Sequence, residues 1–240
     1  MKQTLLSTAR TALMLCSAFA AAPALAQTDE STEKTPAISI DASVEVVSDY
    51  RFRGISLSDF DPAVQPSLTV THKSGFYANA WGSNITEYGG ADVEVDLTLG
   101  WSGDIGSGGT SADVYAMYYL YPGASGLHYA EFGAILSQSV GEGSVAAEVS
   151  YSPAQQGTGG VDNIYLGLSG EMPVKKTPLT LRGSFGYEDG AWGTNKLDWM
   201  VGAEYDLGKG FAAGINYVDS YRSQLSEGRA GVVANLRFEF

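Results

Sequence analysis

Cysteine is nearly absent from the chain. Only Cys16 occurs in 240 residues, which excludes a disulfide framework and any metal centre built from several cysteines. Histidine is almost as scarce, with His72 and His128 alone. Basic residues are few: 14 Lys+Arg stand against 27 Asp+Glu, a formal net charge of −13 with a sequence pI near 4.4. A nucleic-acid partner needs a basic face to neutralise phosphates, so that class is excluded. Long hydrophobic runs are missing too. The main apolar stretch, Thr11–Ala22, is shorter than the roughly 20 residues a spanning helix requires, and mean hydropathy is −0.05. No segment after residue 27 repeats with a 3.6-residue period, which excludes a helical bundle. What is plentiful is glycine (30) together with 44% hydrophobic and 11% aromatic residues, a composition that can fold.

The first 26 residues read as a processing segment. Lys2 and Arg10 make a basic start, TALMLCSAFAAA is small and apolar, and Ala24-Leu25-Ala26 supplies an A-x-A cleavage site. A secretory signal peptide cut after Ala26 is expected. Leu15 before Cys16 disfavours lipidation, where a small residue is wanted. Cleavage removes Lys2 and Arg10, leaving 12 bases against 27 acids, a net −15. Residues 27–37 are read as a flexible periplasmic leader, since QTDESTEKTP is polar and aperiodic.

From Ile38 onward the dominant signal has period two. Ile38, Ile40, Ala42, Val44 and Val46 alternate with polar residues, as do Val93, Val95, Leu97 and Leu99 with Asp92, Glu94, Asp96 and Thr98. Such alternation puts one residue class on each side of a sheet. About twelve strands are predicted, near 38–50, 64–72, 75–85, 91–101, 112–121, 128–138, 144–152, 162–169, 178–187, 197–206, 211–218 and 229–240. Three of them (75–85, 112–121 and 162–169) do not declare their faces. Lys73-Ser74-Gly75, Gly141-Glu142-Gly143 and Gly208-Lys209-Gly210 read as tight turns. Segments 51–63, 153–161, 188–196 and 219–228 read as longer loops. Short turns at one end and longer loops at the other suit an outer-membrane barrel.

The apolar faces put Tyr50, Phe52, Tyr151, Tyr187 and Tyr217 near the outer ends, and Phe76, Trp101, Tyr205, Phe211, Phe238 and Phe240 near the inner ends. Aliphatic residues lie between. Two aromatic belts around an aliphatic band match a bilayer with two interfaces, and a closed barrel is the sheet that leaves no unpaired edge in hydrocarbon. The fold class expected is therefore all-β: a transmembrane antiparallel up-and-down barrel over residues 38–240, in the cell outer membrane with the lipid bilayer as partner. The ending Leu236, Phe238, Phe240 resembles the C-terminal signal read by the barrel-assembly machinery.

Catalytic patterns are weak. His72 at an inner turn and His128 near the outer end are too far apart for a shared metal or relay. No G-x-S-x-G elbow occurs. Gly141-Glu142-Gly143-Ser144-Val145-Ala146 fits G-x-G-x-x-A, but strand residues follow it, so no helix N-terminus could hold a phosphate. No enzyme and no cofactor are expected. The polar face carries the stronger signal. Candidate lumen-facing acids are Asp41, Glu45, Asp49, Asp92, Glu94, Asp96, Glu131, Glu148, Asp198 and Glu204. Candidate bases are Arg182, Arg229 and Arg237, with Arg51 and Arg53 at the outer mouth. These carboxylates either line a passage or pair with arginines and fill a narrow barrel.

Residues 48–85 (SDYRFRGISLSDFDPAVQPSLTVTHKSGFYANAWGSNI), with EVDLTLGWSG at 94–103 and YLYPG at 119–123, resemble the proteobacterial family of TorF-type porins. The resemblance covers most of the mature chain and is most specific at Ser48–Gly54 and Trp81-Gly82-Ser83. It implies an outer-membrane location and a channel role, and transfers no ligand residue. The function expected is passive diffusion of small hydrophilic solutes or cations, with weak cation selectivity. The alternatives are a non-conducting structural or adhesive barrel and, last, an outer-membrane hydrolase. If Phe240 completes the assembly signal, deleting it should lower the amount of folded, heat-modifiable barrel recovered from outer membranes, measured on gels with and without boiling.

Overall fold

The structure, a computed structural model, describes residues 36–223 and 225–240. The predicted signal peptide and the leader as far as residue 35 lie outside the described residues.

Fourteen strands follow in chain order: β1 (Ile38–Val47), β2 (Arg51–Phe52), β3 (Ile55–Ser56), β4 (Ala63–His72), β5 (Phe76–Tyr88), β6 (Ala91–Ile105), β7 (Thr110–Leu120), β8 (Tyr129–Val140), β9 (Gly143–Ser152), β10 (Asn163–Pro173), β11 (Leu179–Gly190), β12 (Gly193–Gly208), β13 (Phe211–Tyr221) and β14 (Gly231–Glu239). Twelve of them, β1 and β4 to β14, form a closed antiparallel barrel, as predicted, while β2 and β3 make a separate two-stranded sheet. Closure is made by β1, which pairs with β14 (Val44 opposite Phe238, Val46 opposite Leu236) and with β4 on its other side (Ile38 opposite His72). The described residues contain only two short 3-10 turns besides, Ser125–Leu127 and Ser226–Gly228.

Tight turns gather at the end where β1 begins, called the turn end below. Lys209 and Gly210, both at positive φ, turn β12 into β13 there, as a two-residue hairpin of the right twist requires. The loop end carries segments 48–62, 121–128, 153–162 and 225–230. The expected long loop at 188–196 is absent. β11 and β12 instead run on to Gly190 and from Gly193, paired to each other, so only Ala191 and Trp192 form the turn.

The outer wall is apolar. Leu68, Leu97, Leu99, Leu136, Leu168, Val201, Ile215 and Val232 are all exposed, with Tyr118, Phe132, Tyr151, Tyr217 and Tyr221 toward the loop end and Phe76, Tyr205, Phe211 and Phe240 toward the turn end. A continuous apolar surface of this extent suits hydrocarbon, not water. The unclear strand 112–121 resolves cleanly: Tyr115, Met117 and Tyr119 of β7 are buried inside, while Val114 and Tyr118 face out. Two expected members of the outer belt are misplaced. Tyr50 and Phe52 lie beyond the end of β1 on a segment that turns inward; Tyr50 packs on Trp81 with ring centroids 5.3 Å apart, and Phe52 on Tyr119 at 6.0 Å.

Inside, one arrangement recurs three times. A tyrosine on one strand lies across a glycine of the next and donates its hydroxyl to a carboxylate on the strand after that. Tyr77 covers Gly100 and reaches Asp113 at 3.0 Å; Tyr115 covers Gly133 and reaches Glu148 at 3.0 Å; Tyr165 covers Gly186 and reaches Asp198 at 3.2 Å. Laying the rings flat keeps them along the wall rather than across the lumen. A Cβ at Gly133 would overlap the Tyr115 ring. Replacing Gly133 by Val should therefore destabilise the barrel by about 1–3 kcal/mol through overpacking, read as a lower temperature for loss of the folded band on unboiled gels.

Candidate functional site

The segment joining β1 to β4 does not stay at the rim. It enters the lumen as the hairpin β2–β3, turned at Arg53 and Gly54, both at positive φ (47° and 83°). This is the backbone of a type I′ turn, for which glycine at the second position is suited. Crowding adds a second reason for glycine, because a Cβ at Gly54 would meet the Cβ atoms of Asp198 at 2.9 Å and Ser220 at 3.0 Å. The base of the hairpin is tied by Asp49, which accepts from the Ser56 hydroxyl at 2.6 Å and from Arg51. Arg51 in turn donates to the carbonyls of Gly54, Glu227 and Arg229. Backbone bonds from Leu57 N to Tyr50 O and from Thr86 N to Leu57 O, both 2.8 Å, finish the anchor.

At the tip, Arg53 reaches the far wall. Its Nη2 donates to both carboxylate oxygens of Glu131 on β8 at 2.9 Å, and its Nη1 to Glu188 on β11 at 3.2 Å. Its guanidinium also lies over the Tyr165 ring, 4.2 Å from the centroid. Lys196 on β12, fully buried at 0% exposure, completes the knot: its Nζ is 2.9 Å from Glu188 and 3.3 Å from Asp198 and donates to the Arg53 carbonyl at 2.6 Å. Two cations therefore serve three carboxylates across the lumen. Tyr119 and Tyr129 stack beside Phe52 with centroids 4.3 Å apart, and Trp192 is tilted against Tyr129 at 4.7 Å.

Nearer the turn end a second network runs around the wall. Arg182 donates to Asn216, Asn216 to Asn235 at 3.2 Å, and Asn235 to Glu45 at 2.7 Å, linking β11, β13, β14 and β1. Glu204 is held by Arg182 and by Arg237, each at 3.1 Å.

The sequence-predicted residues divide accordingly. Glu45, Glu131, Glu148, Asp198, Glu204, Arg182 and Arg237 sit in these interior networks. Glu94 and Asp96 of β6 are buried inside at 1% and 7% exposure. Asp41 and Asp92 share the alternation but are exposed at the two rims, because the barrel wall no longer encloses the first residues of β1 and β6. Asp49 is no strand residue; it follows β1 and clamps the hairpin. Arg229 is not in the lumen either. It follows the turn Ser226–Gly228, exposed, with its guanidinium 3.8 Å from the Phe60 ring centroid. Lys196 went unrecognised because it fell in the segment read as a loop. Its signal was the alternation Lys196, Asp198, which continues β12.

His72 bonds Ser74 at the turn end, and His128 bonds the Tyr121 carbonyl at the loop end. Among the described residues no three His, Cys, Asp or Glu side chains gather as a metal centre would require.

A closed twelve-stranded barrel with an apolar wall and a charged, hairpin-crossed lumen has the architecture of outer-membrane porins. The solved structures it resembles agree. The KdgM porin superposes with a TM-score of 0.58 at 10% identity, covering 84% of this chain and 97% of that one. A second structure of that porin, in complex with disordered oligogalacturonate, gives 0.57 at 10% identity, covering 84% and 98%. The COG4313 outer membrane channel from Pseudomonas putida F1 gives 0.52 at 10% identity, covering 89% and 99%. No curated protein sequence matches the chain. The chain belongs to the family described as "Bacterial protein of unknown function (Gcw_chp)", which matches residues 31–232.

Breaking a buried ion pair by removing one partner costs about 3–5 kcal/mol, since the other charge is left unpaired. Arg53→Ala leaves Glu131 in that position, while Glu188 keeps Lys196, and should undock the hairpin. Trypsin should then cut after Arg51 in the folded barrel, a site protected in the parent protein; mass spectrometry of the fragments reads the outcome.

Proposed function

We propose that this protein is a narrow, weakly cation-selective diffusion channel of the outer membrane, reached through a cleaved signal peptide and inserted by the barrel-assembly machinery. In this reading the turn end faces the periplasm and the loop end the outside, and the hairpin of residues 48–62 sets the width of the passage. The observation that carries it is the sign of the interior charge. In the loop half, among the described residues, Glu94, Asp96, Glu131, Glu148, Glu188 and Asp198 stand against Arg53 and Lys196, with Asp49 and Arg51 at the base of the hairpin cancelling each other. A lumen with an acid surplus concentrates cations and repels anions. For the same reason a polyanionic sugar such as the oligogalacturonate bound by the KdgM porin is a poor candidate solute here. The kinship to TorF-type porins belongs to this proposal as well. We take the protein to be no enzyme, given histidines at opposite ends of the barrel.

A second reading, a non-conducting structural or adhesive barrel, draws on the same hairpin, whose Phe52 and Arg53 occupy the centre of the loop half. Conductance in a planar bilayer separates the two. The expected result is a small single-channel conductance, cation preference that fades at high salt as the charges are screened, and a conductance several-fold larger when residues 51–58 are replaced by a short glycine-serine link. Changing Asp92, Glu94 and Asp96 to Asn, Gln and Asn should move the reversal potential toward zero. Silence of both the parent and the hairpin-less protein would favour the structural barrel; anion preference would refute the selectivity.

A further inference from the structure

Three carboxylates in the loop half have no protein cation paired to them among the described residues: Glu148, which accepts from the Tyr115 and Ser150 hydroxyls, and Glu94 and Asp96. Arg53 is committed to Glu131 and Glu188, and Lys196 to Glu188, Asp198 and the Arg53 carbonyl. Glu94, 1% exposed, accepts the Tyr121 hydroxyl at 2.8 Å on Oε1 with the Tyr50 hydroxyl close by, and its Oε2 has no hydrogen-bond partner within range among the described residues. Asp96 is 7% exposed, and its Oδ1 likewise has none; no ion pair or hydrogen bond reaches this side chain among the described residues. Spaced by two on β6, the carboxylates share one face with Cα atoms about 7 Å apart. Aromatic residues flank them. In the sheet register Asp96 lies between Trp81 of β5 and Tyr119 of β7, and Tyr50 of the hairpin segment packs on Trp81.

Leaving a carboxylate desolvated without a partner is expensive, so the arrangement calls for a cation from outside the chain. Its class follows from the surroundings. A divalent metal favours six or more oxygen ligands, and no cluster of three ligating side chains exists among the described residues. An ammonium group instead uses both features present: N–H donors for the free carboxylate oxygens, and attraction to the faces of neighbouring aromatic rings. We propose that Glu94 and Asp96, with Trp81 and Tyr119, form a binding site for a small alkylammonium ion in the outer half of the lumen. This deepens the channel reading by naming the class of solute, and it rests on that reading only for the direction of passage.

Isothermal titration of the detergent-folded protein with propylammonium chloride tests the site without any current being measured. Calcium chloride is titrated in parallel. The expected result is saturable binding of propylammonium, weakened at least about tenfold in Asp96→Asn and in Glu94→Gln. It should be unchanged in Asp104→Asn, an exposed acid toward the turn end of the same strand. Heat-modifiability on gels confirms that each variant is folded. Absence of propylammonium binding, equal binding by both variants, or binding of calcium alone would overturn the proposal. A barrel that binds propylammonium yet passes no current would overturn the channel and support the site, whereas a conducting barrel that binds none would do the reverse.

Discussion

Each backbone N–H and C=O of a strand facing hydrocarbon must find its partner in another strand, because no water is there to replace it. Closure through β1, paired to β14 on one side and β4 on the other, meets that demand for the first and last strands. Once the sheet is closed, the two faces of every strand acquire different solvents. The apolar set, from Leu68 to Leu236, meets the bilayer, and the polar set meets a confined interior. The three tyrosine–glycine–carboxylate units follow from the same confinement. Rings folded flat over glycines give the wall its packing without spending the cross-section of the lumen.

Confinement also makes charge costly, and the two halves of the interior answer differently. In the turn half, arginines, amides and glutamates lie side by side around the wall, so Arg182, Asn216, Asn235 and Glu45 satisfy one another locally. In the loop half the wall strands supply acids faster than bases. The balance is partly restored by a cation carried in on the hairpin: Arg53 bridges β8 and β11, and its own carbonyl accepts from Lys196. Arg53, at the tip of the loop, thus ties the hairpin to the far wall of the lumen. The pair Glu94 and Asp96 lies beyond the reach of that compensation.

The hairpin has its own internal logic. Its strands are only two residues each, too short to persist alone. Asp49 and Ser58 fold the base by accepting and donating within the segment, Ser58 to Asp61 O and Tyr50 N to Ser58. Phe60 offers its ring to Arg51 and Arg229. Those contacts hold the base, and Phe52, Gly54 and Arg53 fit the opposite wall.

The amino-acid sequence by itself determined the strands and their two faces: alternation in strands such as 38–47 and 91–99 states which residues must part company, and two aromatic belts around an aliphatic band point to a closed sheet in a bilayer. It also set the face of each acid, since the parity of Glu94, Asp96 and Glu131 follows from their apolar neighbours, while Asp41 and Asp92, of the same parity, lie exposed at the rims. Three things were decided only by tertiary structure. The inward course of residues 48–62 depends on a guanidinium meeting Glu131 and Glu188, residues 78 and 135 positions away, and period two carries no information about such distant pairs. Lys196 reads as loop until β11 and β12 are seen paired to their turn. That no cation of the described residues reaches Asp96 is a property of packing that no local pattern encodes.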